Sequence, residues 1–168
     1  MNLIVLDFDG VLTSIDSGTH FLLLDDLAYK PCKKLVNMVK KLCDETGAKI
    51  MIASNWRKYD NDHKHFYRGV AFDNQLPKLR KMLKGYLFEH DLPNIPHTRK
   101  GDCLKTWLKD NPDFTGNFVI LDDADYERYD KLRYKGIRKK FILVDPKTGF
   151  SDDDYEKAVK ILTNTTDK

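Results

Sequence analysis

Short apolar runs alternate along the chain with longer stretches in which apolar residues recur at helical spacing. The runs predict four strands, at residues 2–7, 49–53, 118–121 and 141–144. The amphipathic stretches predict helices at residues 31–45, within 76–87, at 101–109 and at 151–162. Continuous apolar strands separated by helices are typical of sheets covered on both faces, so the pattern predicts an α/β fold with a mostly parallel sheet flanked by helices.

Residues that favour turns and helix ends mark several of these boundaries. Pro31 suits the first turn of the first helix, and Gly47 suits the cap after its last turn. Ser151 and Asp154 have the spacing of a capping box at the start of the last helix. Loops or turns are predicted at residues 10–29, where a small hairpin is also expected, and at 91–98 and 145–149.

Pairs of polar side chains follow three of the four strands. They are Asp7 and Asp9 after the first strand, Ser54 and Asn55 after the second, and Asp122 and Asp123 after the third. Ligands of parallel α/β sheets bind outside the carboxyl ends of the strands, where we expect all three pairs to meet. Buried carboxylates need a compensating charge, and Mg²⁺ is a hard cation that takes carboxylate and carbonyl oxygens. The pattern therefore predicts a Mg²⁺ site at this edge.

Composition narrows the class of protein. The chain of 168 residues predicts one domain, residues 1–168, and its formal charge of +3 is too small to indicate nucleic-acid binding by itself. No apolar run is long enough to cross a bilayer, and Asp7 and Asp9 interrupt the amino-terminal run that a signal peptide would need. The three cysteines, an odd number and widely spaced, favour a reducing cytoplasm over a disulfide framework or a zinc site. The sequence leaves the oligomeric state open.

Four carboxylates, a hydroxyl and a lysine at one rim favour phosphoryl-transfer chemistry. Like charges this close together repel, so either a cation binds or the pKa values of the carboxyls rise. With Mg²⁺ bound, one carboxylate can attack phosphorus while a second protonates the leaving oxygen.

These residues also resemble a known family. The run Asp7-Phe8-Asp9-Gly10-Val11-Leu12-Thr13 matches the D-x-D-G-x-x-T motif of the haloacid dehalogenase (HAD) superfamily of phosphatases. The later motifs follow in the family's order, as Ser54, Lys100 and the pair Asp122-Asp123. The resemblance covers essentially the whole domain and implies a Rossmann-like, HAD-like core.

A closer resemblance is to the small HAD domains found alone, in phages, or beside RNA-repair enzymes. It rests on residues 54–57 (Ser-Asn-Trp-Arg), on residues 100–108, which begin with Lys-Gly and end with Trp-Leu, and on residues 145–151. Cys103 stands where we expect glutamate, and Asn55 replaces a small hydroxyl residue of the phosphate pocket.

The resemblance implies a role for each matching residue. Asp7 is the nucleophile, and Asp9 is the general acid and base. Ser54 hydrogen-bonds the phosphoryl group, and Lys100 neutralises Asp7 and the phosphate. The implied Mg²⁺ ligands are Asp7, the backbone carbonyl of Asp9, Asp122 directly or through water, and Asp123 in support of that coordination shell.

Several of these residues have a second interpretation. Arg99 competes with Lys100 for the same motif position. Arg57 fits either a bidentate contact with a substrate phosphate or a structural ion pair. Ser54 fits a strand-end hydroxyl that satisfies a backbone group, and Asp122 fits the start of a solvated acidic loop. The candidate substrate-binding residues are Asn55, Arg57 and Arg99.

Residues 58–86 are rich in basic and aromatic side chains. Such a mixture can hold a nucleic-acid backbone and stack bases, but a solvated face with a few core aromatics is the favoured interpretation. His63 and His65 do not share a helix face, so no second metal site is predicted. Trp107 is expected in the core.

The intervals that separate Asp9, Ser54 and Lys100 hold little more than core elements, which predicts little or no cap domain and an open site. The leading hypothesis is a Mg²⁺-dependent phosphomonoesterase that acts through an aspartyl-phosphate on a nucleotide or a terminal phosphate of a polynucleotide. A small phosphorylated metabolite is the alternative substrate. Two other classes are a receiver-like signalling module and a non-catalytic phosphate-binding protein.

Overall fold

The computed structural model describes most of the chain. The described residues are 1–19, 30–59, 64–67, 70–73, 75–95, 98–124 and 135–163. Only the backbone is described at residues 58–59, 64–67, 70–73 and 135.

A four-stranded parallel sheet forms the centre of the fold. The strands are, in chain order, β1 (Asn2–Leu6), β2 (Ala48–Ile52), β3 (Lys64–Tyr67), β4 (Val70–Asp73), β5 (Phe118–Asp122) and β6 (Phe141–Leu143). Four of them pair in the order β2-β1-β5-β6, while β3 and β4 form a separate antiparallel hairpin. The chain runs outward from β1 to β2 and then returns to β5 on the other side of β1. A topological switch point, where such sheets bind ligands, therefore lies between β1 and β5.

Helices cover both faces of this sheet. They are α1 (Lys33–Thr46), α2 (Leu76–Met82), α3 (Lys100–Asp110), α4 (Lys135–Arg138) and α5 (Asp152–Thr163), with a 3₁₀ helix at Asn55–Tyr59. Successive side chains of a strand point to opposite faces, so β1 supplies two cores. Ile4 and Leu6 pack in the core that α1, α2 and α5 share, and Leu3 and Val5 pack in the core of α3 and α4. The structure confirms the predicted Rossmann-like α/β fold.

The predicted start of α1 is wrong by two residues. Pro31 lies outside the helix, which begins at Lys33. Cys32 has extended backbone angles (φ −74°, ψ 117°), and its N–H donates to the carbonyl of Leu12 at 2.8 Å. This bond holds the chain extended just before the helix. The prediction for the other end is confirmed, because Gly47 caps α1 with a left-handed φ of 64°.

The predicted capping box of α5 is also confirmed. The Asp154 carboxylate accepts the backbone N–H of Ser151 at 3.2 Å and its hydroxyl at 2.7 Å. In return, the backbone N–H of Asp154 donates to the Ser151 hydroxyl at 3.3 Å. Two donors at the start of the helix are thereby satisfied.

The hairpin of β3 and β4 was not predicted. It lies between β2 and α3, inside the basic and aromatic stretch 58–86. Leu87 makes a further parallel bridge to Ile50 beyond the β2 edge of the sheet. The side chains of His63 and His65 lie outside the described residues, as do residues 20–29 of the predicted amino-terminal hairpin.

The cysteines are thiols, as expected from their spacing. Cys43 and Cys103 are buried, Cys32 is half-buried, and all are free. Trp107 is buried in the core of α3 as predicted. Within the described ranges, no helix combines the length and apolar character needed to cross a membrane.

Candidate active site

The carboxyl ends of β1, β2 and β5 form one edge of the sheet. The N–H of Asp7 donates to the carbonyl of Leu121 in β5 at 2.9 Å. The N–H of Ala53, just after β2, donates to the carbonyl of Leu6 at 2.7 Å. These bonds continue the strand register past the end of β1. The edge therefore gathers, as the sequence predicted, Asp7, Ser54 and Asp122.

The chain turns after β1 through Gly10. This residue has a φ of 67°, which favours glycine, and its N–H donates to the Thr13 hydroxyl at 3.1 Å. A Cβ added to Gly10 would lie 2.4 Å from the Oδ2 atom of Asp123. Glycine therefore permits both the turn and the close approach of this carboxylate. Phe8 and Leu12 anchor the turn in the core.

Lys100, the first residue of α3, contacts two of the carboxylates. Its Nζ lies 2.5 Å from Asp7 Oδ2 and 2.9 Å from Asp122 Oδ2. Burial acts to lower the pKa of Lys100, but the carboxylates of Asp7 and Asp122 outweigh burial and leave this pKa raised. The lysine is therefore charged. Arg99 precedes the helix with an exposed side chain, so Lys100 is the residue that contacts the carboxylates.

Two carboxyls of the site have raised pKa values. Burial, followed by the charge of Asp7, raises the pKa of Asp122 to about 6, although Lys100 acts in the opposite direction. Burial, followed by the charges of Asp7, Asp122 and Asp9, raises the pKa of Asp123 to about 7. The negative charge gathered here exceeds what Lys100 neutralises, so the site favours a bound cation.

The carboxylates of Asp7, Asp122 and Asp123 fit a small hard cation. Each offers one oxygen, and these oxygens all lie within 4.8 Å of one another. Bonds of about 2.1 Å to an octahedral Mg²⁺ place its ligand oxygens about 3–4 Å apart, a spacing that small side-chain rotations can reach. An all-oxygen set is the donor chemistry that Mg²⁺ prefers. The backbone carbonyl of Asp9 as a further ligand stays a prediction.

Asp9 has a partner that the sequence did not reveal. The indole Nε1–H of Trp56 donates to Asp9 Oδ2 at 2.9 Å. Trp56 is only 4% exposed, and the ring of Phe8 meets it edge-on at a centroid distance of 5.8 Å. The sequence signal was the tryptophan two residues after the motif serine, but nothing in the sequence gave its contact.

Ser54 is fully buried at the start of the 3₁₀ helix. Its hydroxyl oxygen accepts the N–H of Trp56 at 3.3 Å, and its carbonyl accepts the Nε–H of Arg57 at 2.8 Å. The Nη2 atom of Arg57 also donates to the carbonyl of Ala53 at 3.1 Å. The guanidinium thus binds the carbonyls of the two peptides that lie before and after the motif serine.

Arg57 does not match the ion pair considered from the sequence. Among the described residues, Arg57 donates hydrogen bonds only to backbone carbonyls. Its Nη1 atom is buried, and no described residue accepts a hydrogen bond from it. Burial lowers the pKa of Arg57, against the charges of Asp91 and Asp7. Asn55 and Arg99 have exposed side chains, and substrate binding by these three residues stays a prediction.

The fold and the site define an α/β domain of the HAD phosphatase type, with the motif residues at the switch point of a parallel sheet. The comparison with protein families agrees. The chain belongs to the family described as the HAD domain in Swiss Army Knife RNA repair proteins, whose model matches residues 3–155. No curated protein and no solved structure matches the chain.

Proposed function

We propose that the protein is a Mg²⁺-dependent phosphomonoesterase that acts through an aspartyl-phosphate on Asp7. The contact of Lys100 with both Asp7 and Asp122 is the observation that carries the proposal. It gives the nucleophile a buried cationic partner at the place where the sheet binds ligands. Asp7, Asp122 and Asp123 would hold a bound Mg²⁺. The ion would stabilise the negative charge of the phosphate oxygens.

The chemistry runs in two steps. A carboxylate oxygen of Asp7 attacks phosphorus, the bond from phosphorus to the ester oxygen breaks, and Asp9 donates a proton to the leaving alkoxide. Asp9 then takes a proton from water, whose oxygen attacks the phosphorus of the aspartyl-phosphate. The P–O bond to Asp7 breaks, inorganic phosphate leaves, and both carboxyl groups return to their starting states.

Phosphate binding draws on residues that surround Asp7. Ser54 offers its hydroxyl to one phosphoryl oxygen, and the ammonium of Lys100 offsets the charge of the phosphate beside Asp7. The amino terminus of α3, which begins at Lys100, adds the partial positive charge of the helix dipole. Positioning and positive charge are the main requirements of phosphoryl transfer.

The proposed substrate is a nucleotide or a terminal phosphate of a polynucleotide. The family to which the chain belongs is described from RNA repair proteins, which supports this substrate class. Between Ser54 and Lys100, the described residues form three elements outside the four-stranded sheet. They are the 3₁₀ helix, the hairpin of β3 and β4, and α2. Elements this small support a site that admits a long substrate.

A phosphate-release screen tests the proposal. It compares nucleoside monophosphates, oligonucleotides with 3′- or 5′-phosphates, sugar phosphates and p-nitrophenyl phosphate, with and without Mg²⁺, and with Asp7→Asn as the control. We expect Mg²⁺-dependent release from a nucleotide or an oligonucleotide end, and none from Asp7→Asn. If the protein hydrolyses sugar phosphates far faster than every nucleotide, the alternative of a small phosphorylated metabolite is correct.

The same screen separates the two other classes. A receiver-like module accepts a phosphoryl group on a later strand, so Asp7→Asn would leave its phosphorylation intact. A non-catalytic binding protein would release no phosphate from any compound, including p-nitrophenyl phosphate.

A further inference from the structure

We propose that Trp56 is a positioning residue, which holds the Asp9 carboxylate so that Oδ1 is the oxygen that exchanges protons with the leaving group and water. The proposal rests on the proposed function, in which Asp9 is the general acid and base. The observation that supports it is the hydrogen bond from the Trp56 indole N–H to Asp9 Oδ2 at 2.9 Å.

The indole is held from three sides, which makes it a rigid donor. Its side chain is 4% exposed and packs in the core that α1, α2 and α5 share. Phe8 meets the ring edge-on at an interplanar angle of 90°. The backbone N–H of Trp56 donates to Ser54 Oγ at 3.3 Å, which links the tryptophan to the motif serine.

The chemistry of the indole decides which carboxylate oxygen can carry a proton. An indole N–H is a donor only and cannot accept a hydrogen bond. A protonated carboxyl oxygen is a poor acceptor, so a proton on Oδ2 would weaken the bond from Trp56. The bond from Trp56 therefore favours a proton on Oδ1 over a proton on Oδ2.

The arrangement also joins the acid to the phosphate pocket. Asp9 follows β1, and Trp56 follows β2, at positions 47 residues apart. The indole spans the gap between the two strand ends, so the acid keeps a fixed position relative to the hydroxyl of Ser54. Misplacement of a catalytic group by about 1 Å can lower a rate about 100-fold, which makes such a support important for turnover.

A spectroscopic test examines the contact without any substrate. The chain holds two tryptophans, so Trp107→Phe assigns the indole N–H resonances in a ¹H–¹⁵N spectrum. Asp9→Ala should move the Trp56 indole resonance, whereas the exposed control Asp113→Asn should leave it in place. An unmoved resonance in Asp9→Ala would overturn the proposal.

A kinetic test examines the consequence for proton transfer. Trp56→Phe keeps an aromatic ring and removes the N–H, and benzothienylalanine at position 56 replaces the N–H by sulfur at nearly the same shape. For both variants, kcat/KM for an alkyl phosphate monoester should fall about 10- to 100-fold. For p-nitrophenyl phosphate, whose leaving group needs no proton, kcat/KM should change little. The inhibition constant of vanadate should also stay near that of the unaltered protein.

The outcomes separate this inference from the proposed function. Equal losses for both substrates, or no loss for either in the benzothienylalanine variant, would overturn the positioning role. Trp107→Phe, which alters a second buried tryptophan away from these carboxylates, controls for a general loss of packing. If the unaltered protein hydrolyses no phosphate ester, the proposed function fails and the proton-exchange role fails with it, while the spectroscopic result still reports on the contact.

Discussion

Asp7 and Asp9 are two residues apart and carry the same functional group, but the structure gives them different partners. Asp7 faces the buried ammonium of Lys100 at 2.5 Å, next to a second carboxylate, Asp122. Asp9 is half-buried, and it faces the neutral indole N–H of Trp56 at 2.9 Å. The turn that follows Asp9 passes through Gly10, whose φ is 67°.

The difference shows how one motif supports two kinds of chemistry. A charged partner such as Lys100 compensates the negative charge of a buried carboxylate. A neutral donor such as the Trp56 indole adds no charge next to Asp9. It instead fixes the orientation of the Asp9 carboxylate. These partners, which come from distant segments, agree with the proposed roles, in which Asp7 attacks phosphorus and Asp9 carries the proton. The predictions below test this distinction from the largest expected effect to the smallest.

The largest effect is expected on turnover. Asp7→Asn removes the attacking oxygen and should lower kcat by at least about 10⁴-fold on every substrate. Asp9→Asn should lower kcat by about 10²- to 10⁴-fold. With p-nitrophenyl phosphate, Asp9→Asn should still release one equivalent of nitrophenolate in a rapid-quench burst, because formation of the aspartyl-phosphate needs no proton there. A burst from Asp7→Asn would contradict the assignment of the two roles.

Lys100→Met tests the charged half of the comparison through stability. The variant leaves Asp7 and Asp122 facing each other without the ammonium, and breaking a buried pair costs about 3–5 kcal/mol. Urea denaturation should show this fall in the free energy of unfolding. Lys109→Met, at an exposed position near the end of the same helix, is the control. A loss no larger than that of the control would argue against the buried ion pair.

Gly10→Ala tests the turn that follows the two carboxylates. An alanine in left-handed backbone costs about 1–2 kcal/mol of folding free energy. Gly47→Ala is the control, because Gly47 has a similar φ of 64° but open space around the added Cβ. The added Cβ at position 10 also displaces Asp123. Calorimetric titration should therefore show Mg²⁺ affinity reduced about 10- to 100-fold in Gly10→Ala alone. Equal Mg²⁺ affinities in the two variants would rule out this role for the glycine.

The last effect is expected in the pH dependence of metal-free stability. Burial, and then the charges of Asp7, Asp122 and Asp9, raises the pKa of Asp123 in the folded protein to about 7, above the value of about 3.9 typical of an unfolded chain. Between these values the folded state binds more protons, so the free energy of unfolding should fall as pH rises through this window. In buffers with EDTA, the fall from pH 5 to pH 8 should be smaller for Asp123→Asn. Identical slopes would contradict the raised pKa.

The sheet was predictable because its strands are buried on both faces. All residues of Leu3–Leu6 and of Phe118–Leu121 are buried, so both runs are continuously apolar. β2 and β6 follow the rule less strictly, because Lys49 is half-buried and Leu143 is exposed. The hairpin of β3 and β4 was missed because each strand has only four residues and polar groups at its ends, Lys64 and Asp73. Arg68-Gly69 between two runs rich in aromatic residues was the available signal.

The site was predictable as far as it follows strand ends and family motifs. Asp7, Ser54 and Asp122 meet because parallel strands share one carboxyl edge. The contacts that depend on exact side-chain positions were not predictable. Examples are the bond from Trp56 to Asp9 and the approach of Asp123 to Gly10, which each join segments far apart in the chain.

The central place of β1 has a consequence for the order of folding. The strand comes first in the chain, but one of its two neighbours, β5, begins only at Phe118. During synthesis from the amino terminus, an apolar strand with an open edge therefore exists long before its second partner, and such edges invite wrong pairings. Asp7 likewise meets Lys100 and Asp122 only after most of the sheet has assembled, and pairing across such separations folds slowly. Under the proposed function, the nascent chain therefore becomes active only after Asp122 has joined Asp7 and Lys100.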